Sequence, residues 1–146
     1  MSDAIGRTDE RLAQLFSAAY EQMRERIYAR ARDCGFADLR PAHSSVLRHI
    51  DAEGSRVVTL AERAGMTKQS MGYLTDSLAR LGYVAIGPDP SDGRAKLVRL
   101  TGRGEEAVAT LTRLSLEAEA ELRDALGAER LAGLRAAMNE VLAVLR

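Results

Sequence analysis

The chain has 146 residues, with 21 Lys and Arg against 21 Asp and Glu, so its formal net charge is zero. A hydrophobic fraction of 46% fits one globular domain and excludes a disordered chain, while no apolar run approaches the roughly 20 residues of a membrane helix. One cysteine, Cys34, excludes an internal disulfide, and an aromatic content of 4% leaves the core to Leu, Ala, Val and Met, which favour helices. Met1 to Arg7 lack the basic-then-apolar pattern of a signal peptide, so a cytoplasmic protein with no membrane partner is expected.

In chain order, apolar residues from Asp9 to Asp33 recur at Leu12, Leu15, Phe16, Ala19, Met23 and Ile27, the spacing of a helix with one buried stripe. Gly35 is its expected stop. Pro41 opens a second helix, where its missing N–H costs nothing; Val46, Leu47 and Ile50 form its apolar side and Gly54 ends it. Thr59-Leu60-Ala61-Glu62 reads as a capping box that starts a short helix, interrupted by Gly65. Thr67 caps the next helix, which runs to about Leu81 and stops at Gly82. Two helices joined by a tight glycine turn predict a helix-turn-helix.

Tyr83 to Ile86 is expected as a short strand and Lys96 to Leu100 as its return. The Pro/Gly/Asp-rich segment Gly87 to Arg94 between them reads as a long hairpin loop. Lys96 shares a strand face with Val98 and Leu100 and is expected beyond the covered part. Thr101 caps a long helix with a stripe at Val108, Leu111, Leu114, Ala118, Leu122 and Leu126, and Gly127 breaks it. Leu131, Leu134, Met138, Val141, Leu142 and Leu145 mark a last helix. The fold class is therefore mainly α with a small β-hairpin. A single domain over 1–146 is expected, with a helix-turn-helix and hairpin over about 41–100 and flanking helices over about 9–34 and 101–146, whose apolar stripes are left for dimerisation.

Zero net charge argues at first against a nucleic-acid partner. Its distribution says otherwise. Arg56 to Arg103 holds eight basic residues against four acidic, a net of +4, while the flanking segments carry −1 and −3. A surface ligand feels the local patch, because the Debye length is about 8 Å at physiological salt. In projection the Thr67 helix puts Met71, Leu74, Leu78 and Leu81 on one side and Gln69, Tyr73, Asp76 and Arg80 on the other, flanked by Lys68, Gly72 and Ser77. Gln pairs bidentately with adenine, Lys with guanine or phosphate, and Ser with either. Arg94 and Lys96 sit at the hairpin tip, a projection suited to a narrow minor groove. Asp92, two residues ahead, is placed to bond the Arg94 guanidinium or the loop backbone, with Gly93 between them. An ordinary solvated helix face and a plain Asp-Gly turn are the bland alternatives.

Leu60-Ala61-Glu62-Arg63-Ala64-Gly65-Met66-Thr67-Lys68-Gln69-Ser70-Met71, then Leu81-Gly82-Tyr83-Val84, then Asp89-Pro90-Ser91-Asp92-Gly93-Arg94-Ala95-Lys96 with Leu100-Thr101 and Gly104 resemble a winged helix-turn-helix regulator of the MarR family. The similarity runs from about Asp9 to the end. It implies a recognition helix at Thr67–Leu81, a groove-reaching wing at Arg94, and DNA contacts from Thr67, Lys68, Gln69, Ser70, Tyr73, Arg80, Arg94 and Lys96. It also implies an intertwined homodimer on double-stranded DNA with a pseudo-palindromic operator. Dimer contacts are expected from Leu12, Leu15, Phe16, Leu134, Met138, Val141 and Leu145. A small aromatic or anionic effector is implied in a cleft between the dimer helices and the winged domain; Tyr28, Arg32, His43 and Leu47 are the residues expected to meet it, with Ser44 alongside. Two features depart from the pattern: Ala85-Ile86-Gly87 stands where members often carry a basic residue, and Asp76 is acidic on the presented face, with Arg80 four residues on to neutralise it.

A helical protein-interaction dimer and a small enzyme without DNA binding are the competing classes. The first leaves Arg94 and Lys96 without a role. The second is poorly supplied: two His and one Cys make no metal set of normal composition, His43 and His49 lie about 240° apart around a helix, and no phosphate-cradling loop or nucleophile elbow occurs. No cofactor, metal or catalytic residue is expected, and Cys34 is read as structural or incidental.

Overall fold

A computed structural model describes residues 10–146. The elements in order are α1 (Leu12–Asp33), a 3-10 turn (Pro41–His43), α2 (Ser44–Leu47), β1 (Ser55–Arg56), α3 (Val57–Ala64), α4 (Lys68–Arg80), β2 (Val84–Asp89), β3 (Asp92–Leu100), α5 (Gly102–Leu126) and α6 (Ala128–Leu145). Expectation and structure agree on α4, α5 and α6 because each has a strong start signal. Thr67 Oγ1 accepts the Ser70 N–H at 3.1 Å, Thr101 Oγ1 accepts the Gly104 N–H at 3.1 Å, and Gly127 separates the last two helices. Side-chain caps of this kind contribute about 1 kcal/mol each.

Each helix of the helix-turn-helix is followed by a left-handed glycine. Gly65 ends α3 at φ 64°, and Gly82 follows α4 at φ 85°. In both places the next residue's N–H bonds back across the turn, Met66 to Ala61 O at 2.9 Å and Tyr83 to Leu78 O at 2.9 Å. A side chain with a Cβ is strained at such φ, so glycine permits both tight exits.

Four sequence expectations need correction. α1 starts at Leu12, with Arg11 as its N-cap; the expected start, Asp9, lies outside the described residues. The second helix is only one turn of α after a 3-10 turn, since the chain leaves it at Arg48. Thr59 does not cap α3, which begins at Val57 with Arg56 as N-cap: β1 hands the chain directly to the helix, so Thr59 is already in its first turn. The hairpin has no long loop. β2 and β3 extend to Asp89 and Asp92, leaving only Pro90 and Ser91 between them.

The sheet is antiparallel with order β1-β3-β2. β1, unforeseen in the sequence because it is two residues long, pairs Ser55 with Val98 and Arg56 with Leu97. In β2·β3, Ile86 faces Val98 and Pro88 faces Lys96, but Asp89 then faces Asp92. Gly93, Arg94 and Ala95 therefore bulge out of the ladder. Proline lacks the N–H that a regular ladder needs, so Pro88 suits the place where pairing breaks.

The core lies between the helix-turn-helix, the sheet and the first half of α5. Val46, Leu60, Met71, Leu78, Tyr83, Val98 and Ala107 are all fully buried. Truncating one of the large members to Ala should cost about 2–5 kcal/mol. α1 packs on α5, where Arg30 meets Glu121 at 2.6 Å, and α6 folds back on α5 with an Arg135–Glu119 ion pair. Among the described residues none of α6 is buried, and Leu12, Leu15, Leu134, Leu142, Val144 and Leu145 are all exposed.

Candidate nucleic-acid interface

α4 displays the polar face read from its sequence. Met71, Thr75 and Leu78 point into the core; Lys68, Gln69, Ser70, Tyr73, Asp76 and Arg80 are exposed, Tyr73 at 75%. Thr75 is buried at an unexpectedly polar position because its hydroxyl donates to Gly72 O at 3.0 Å, which removes the desolvation cost. Thr67 and Ser70 are partly committed to the helix cap, their hydroxyls lying 2.9 Å apart.

The wing turns toward this face. A groove of about 810 Å³ separates α4 from the sheet. Lys68, Gln69 and Asp76 line it from the helix, Arg94 and Lys96 from the wing, and Arg56 from β1. Four cations thus face one carboxylate, and they are half of the eight basic residues of the +4 segment. Asp76 makes no ion pair with Arg80, contrary to the neutralisation expected from their spacing. Arg80 instead borders a separate cleft of about 290 Å³ with Arg40, His43 and Ser77.

Two aspartates shape the wing. Asp92 Oδ1 accepts the backbone N–H of Arg94 at 3.1 Å, the backbone rather than the guanidinium option. Asp89 Oδ1 accepts the N–H and hydroxyl of Ser91 at 2.9 and 2.8 Å, and its Oδ2 accepts Arg56 Nε at 2.7 Å. The Ser91 bonds, followed by the Arg56 guanidinium, pull the Asp89 carboxyl down to about 2. Arg56 is the groove residue that sequence reading missed. Its signal is a third strand joined directly to a helix, and a two-residue strand leaves no alternation to detect.

Of the four residues expected around an effector, none but His43 lines any of the three openings described for this chain. Tyr28 and Leu47 are core residues, Arg32 is exposed on α1, and His43 borders the small cleft beside α4. His43 is buried. Its Nδ1 accepts the Arg40 N–H at 3.0 Å, and its Nε2 lies 3.0 Å from Ser77 Oγ. Burial and the Arg40 charge lower its affinity for a proton, while Asp38 acts the other way. A different opening, of about 520 Å³, lies between α1 and the start of α4. It is lined by Arg24, Ala42, Ser45, Met66, Gln69, Ser70, Tyr73 and Leu74, and among the described residues the buried Arg24 Nε has no partner. Arg24 and Arg48 both lie over the Tyr20 ring, 5.4 and 5.1 Å from its centre.

Three helices with a hairpin wing, and a cationic groove between wing and second helix of the pair, define a winged helix-turn-helix. The model of the MarR family matches residues 37–95, the segment that holds the paired helices, the sheet and most of the wing. No curated protein matches the chain. Among solved structures, MepR, a transcription regulator of the Staphylococcus aureus multidrug efflux pump MepA, is 20% identical with TM-score 0.69; the match covers 94% of this chain and 100% of that one. The PcaV transcriptional regulator from Streptomyces coelicolor, in complex with its natural ligand, is 20% identical with TM-score 0.68, over 100% of this chain and 99% of that one. A MepR point mutant from S. aureus bound to an oligodeoxyribonucleotide is 20% identical with TM-score 0.59, over 94% of this chain and 100% of that one. At these identities the likeness is one of fold. Among the described residues no helix is long and apolar enough to cross a membrane.

Proposed function

We propose that the chain is a homodimeric, sequence-specific DNA-binding transcription regulator, acting as a repressor that a small aromatic or anionic effector releases. The observation that carries this reading is the groove between α4 and the wing, where Arg56, Lys68, Arg94 and Lys96 face a single acid, Asp76. A bent polyanion of phosphates supplies the charge such a groove lacks. The exposed Gln69, Ser70 and Tyr73 stand beside it, where they can meet base edges in a major groove, and Arg94 projects from the bulge toward an adjacent minor groove. The bound oligodeoxyribonucleotide in a structure of the same fold supports this use of it.

Homodimerisation follows from the exposed leucines of α1 and α6. Burying each contributes about 1.5–3 kcal/mol, so two copies joined through these helices are favoured over a monomer that leaves them wet. A two-fold dimer carries two α4 helices and reads a pseudo-palindrome with half-sites roughly one helical turn apart. For the effector, the opening at Arg24 is the better site than the one expected from sequence. It pairs a guanidinium whose buried Nε lacks a partner among the described residues with the apolar Met66 and Leu74, and it borders Gln69 and Ser70 of the same helix. A carboxylate there would satisfy Arg24, and differential binding to one spacing of the two α4 helices would shift DNA affinity.

Selection of bound duplexes from a random DNA pool tests the reading. Enrichment of an inverted repeat, released by a phenolic acid in wild type and not in Arg24→Ala, is the expected result. Recovery of no sequence preference overturns the regulator, and release that is indifferent to Arg24 overturns the effector site.

A further inference from the structure

The Arg56 guanidinium is only partly used. Its Nε donates to Asp89 Oδ2 at 2.7 Å, and among the described residues its two Nη groups donate to nothing. The two side chains are disposed unequally: Asp89 is 9% exposed and Arg56 39%. The carboxylate thus sits inside, held also by Ser91, and the guanidinium faces the groove that Lys68, Arg94 and Lys96 share. Because Arg56 is the N-cap of α3, its backbone is fixed by the β1 pairing with Leu97 on one side and by the helix on the other. A cation so anchored has its direction set before any ligand arrives, and the immobilisation cost of a long side chain is largely met in the free protein.

We propose that Arg56 is a phosphate clamp at the β1–α3 end of the groove, using its free Nη groups, and that Asp89 is its positioning residue. This rests on the DNA-binding reading above. The planar fork of a guanidinium matches a phosphate, and the Nε edge turned to Asp89 leaves the Nη edge for it. The alternative is that the pair is a strut, tying the wing to β1 with no part in DNA contact.

Salt titrations on a duplex selected from the random pool separate the two, with thermal melts run on each variant. Arg56→Gln keeps one N–H for Asp89 and removes the charge. Its plot of log affinity against log salt should be shallower by about one unit, with the order of preference among sequences unchanged. Arg56→Lys keeps the charge and loses the fork, so it should retain the slope and bind more weakly. Asp89→Asn keeps an acceptor for Ser91 and loosens Arg56; it should retain the slope and bind about 2- to 10-fold more weakly. In the Arg56→Gln background Asp89→Asn should cause no loss. If Arg94→Ala flattens the slope and Arg56→Gln does not, the clamp is overturned while DNA binding stands. Equal losses from Asp89→Asn in both backgrounds make Asp89 a strut and overturn its positioning role. Absence of DNA binding by the unaltered chain overturns this inference together with the reading on which it rests.

Discussion

Asp92 Oδ1 accepts the backbone N–H of Arg94 at 3.1 Å, so the wing arginine is aimed through its own main chain. The bond spans the bulge at Gly93 to Ala95, where the β ladder gives Arg94 no partner. Asp92→Ala should leave the thermal midpoint close to that of the unaltered chain, because the site is exposed. It should weaken DNA binding about fivefold, the worth of one hydrogen bond that orders the tip. Fluorescence anisotropy with a selected duplex measures this, and unchanged affinity would show that the bulge holds Arg94 unaided.

Gly104 tests the packing that carries the wing. A Cβ there would meet Tyr83 O at 2.0 Å, in the backbone that leads into β2. Alanine gains about 1 kcal/mol of helix propensity over glycine, but a backbone clash cannot be relieved by a rotamer change. Gly104→Ala should therefore destabilise the fold by at least about 2 kcal/mol in urea denaturation. A stabilised variant would mean that α5 can move off the strand.

His43 gives a pH dependence with a definite sign. Its proton affinity is lowered by burial and by Arg40, so between the folded value and about 6.5 the unfolded chain binds a proton that the folded chain does not. Its contribution is fully present above that window and is lost as pH falls through it. The neutral ring must accept at Nδ1 from Arg40 N–H and can then donate from Nε2 to Ser77 Oγ, joining the start of α2 to α4. His43→Asn retains an acceptor for Arg40 and does not titrate. Melting temperatures followed from pH 8 to pH 5 should fall more steeply for the unaltered chain than for this variant; parallel curves would refute the assignment.

The exposed apolar ends of α1 and α6 predict association. Leu134→Glu with Leu145→Glu should shift sedimentation equilibrium toward monomer, because each charge would enter an apolar contact. An intact dimer would move the interface elsewhere.

Gln69 lines both the groove between α4 and the wing and the Arg24 opening. Gln69→Ala should relax preference at one base, a loss of about 1–3 kcal/mol confined to that position of the duplex. A uniform loss over all sequences would make Gln69 a scaffold residue.

What could be read from the sequence followed the strength of local signals. Thr67, Gly82, Thr101 and Gly127 bound elements through bonds made within four residues, so the helices they delimit were legible. β1 was not, because a two-residue strand exists only through its pairing with Val98 and Leu97. The same cause hid Arg56. The hairpin was misjudged as loop because Pro88, Asp89 and Gly93 are turn formers, yet cross-strand pairing and the Asp89–Ser91 bonds carry the strands past them. The polar face of α4 could be projected from periodicity alone, whereas the opening at Arg24 depends on how α1 lies against α4. Residues from separate elements converge there without any spacing rule, and of Tyr28, Arg32, His43 and Leu47 none lines that opening.

The most direct test of the groove between α4 and the wing as a DNA site is the salt dependence of binding to a selected duplex, compared between the unaltered chain and Arg94→Ala. Strong salt dependence, shallower by about one unit in the variant, is the expected result. Identical affinity and slope in the two proteins would contradict it.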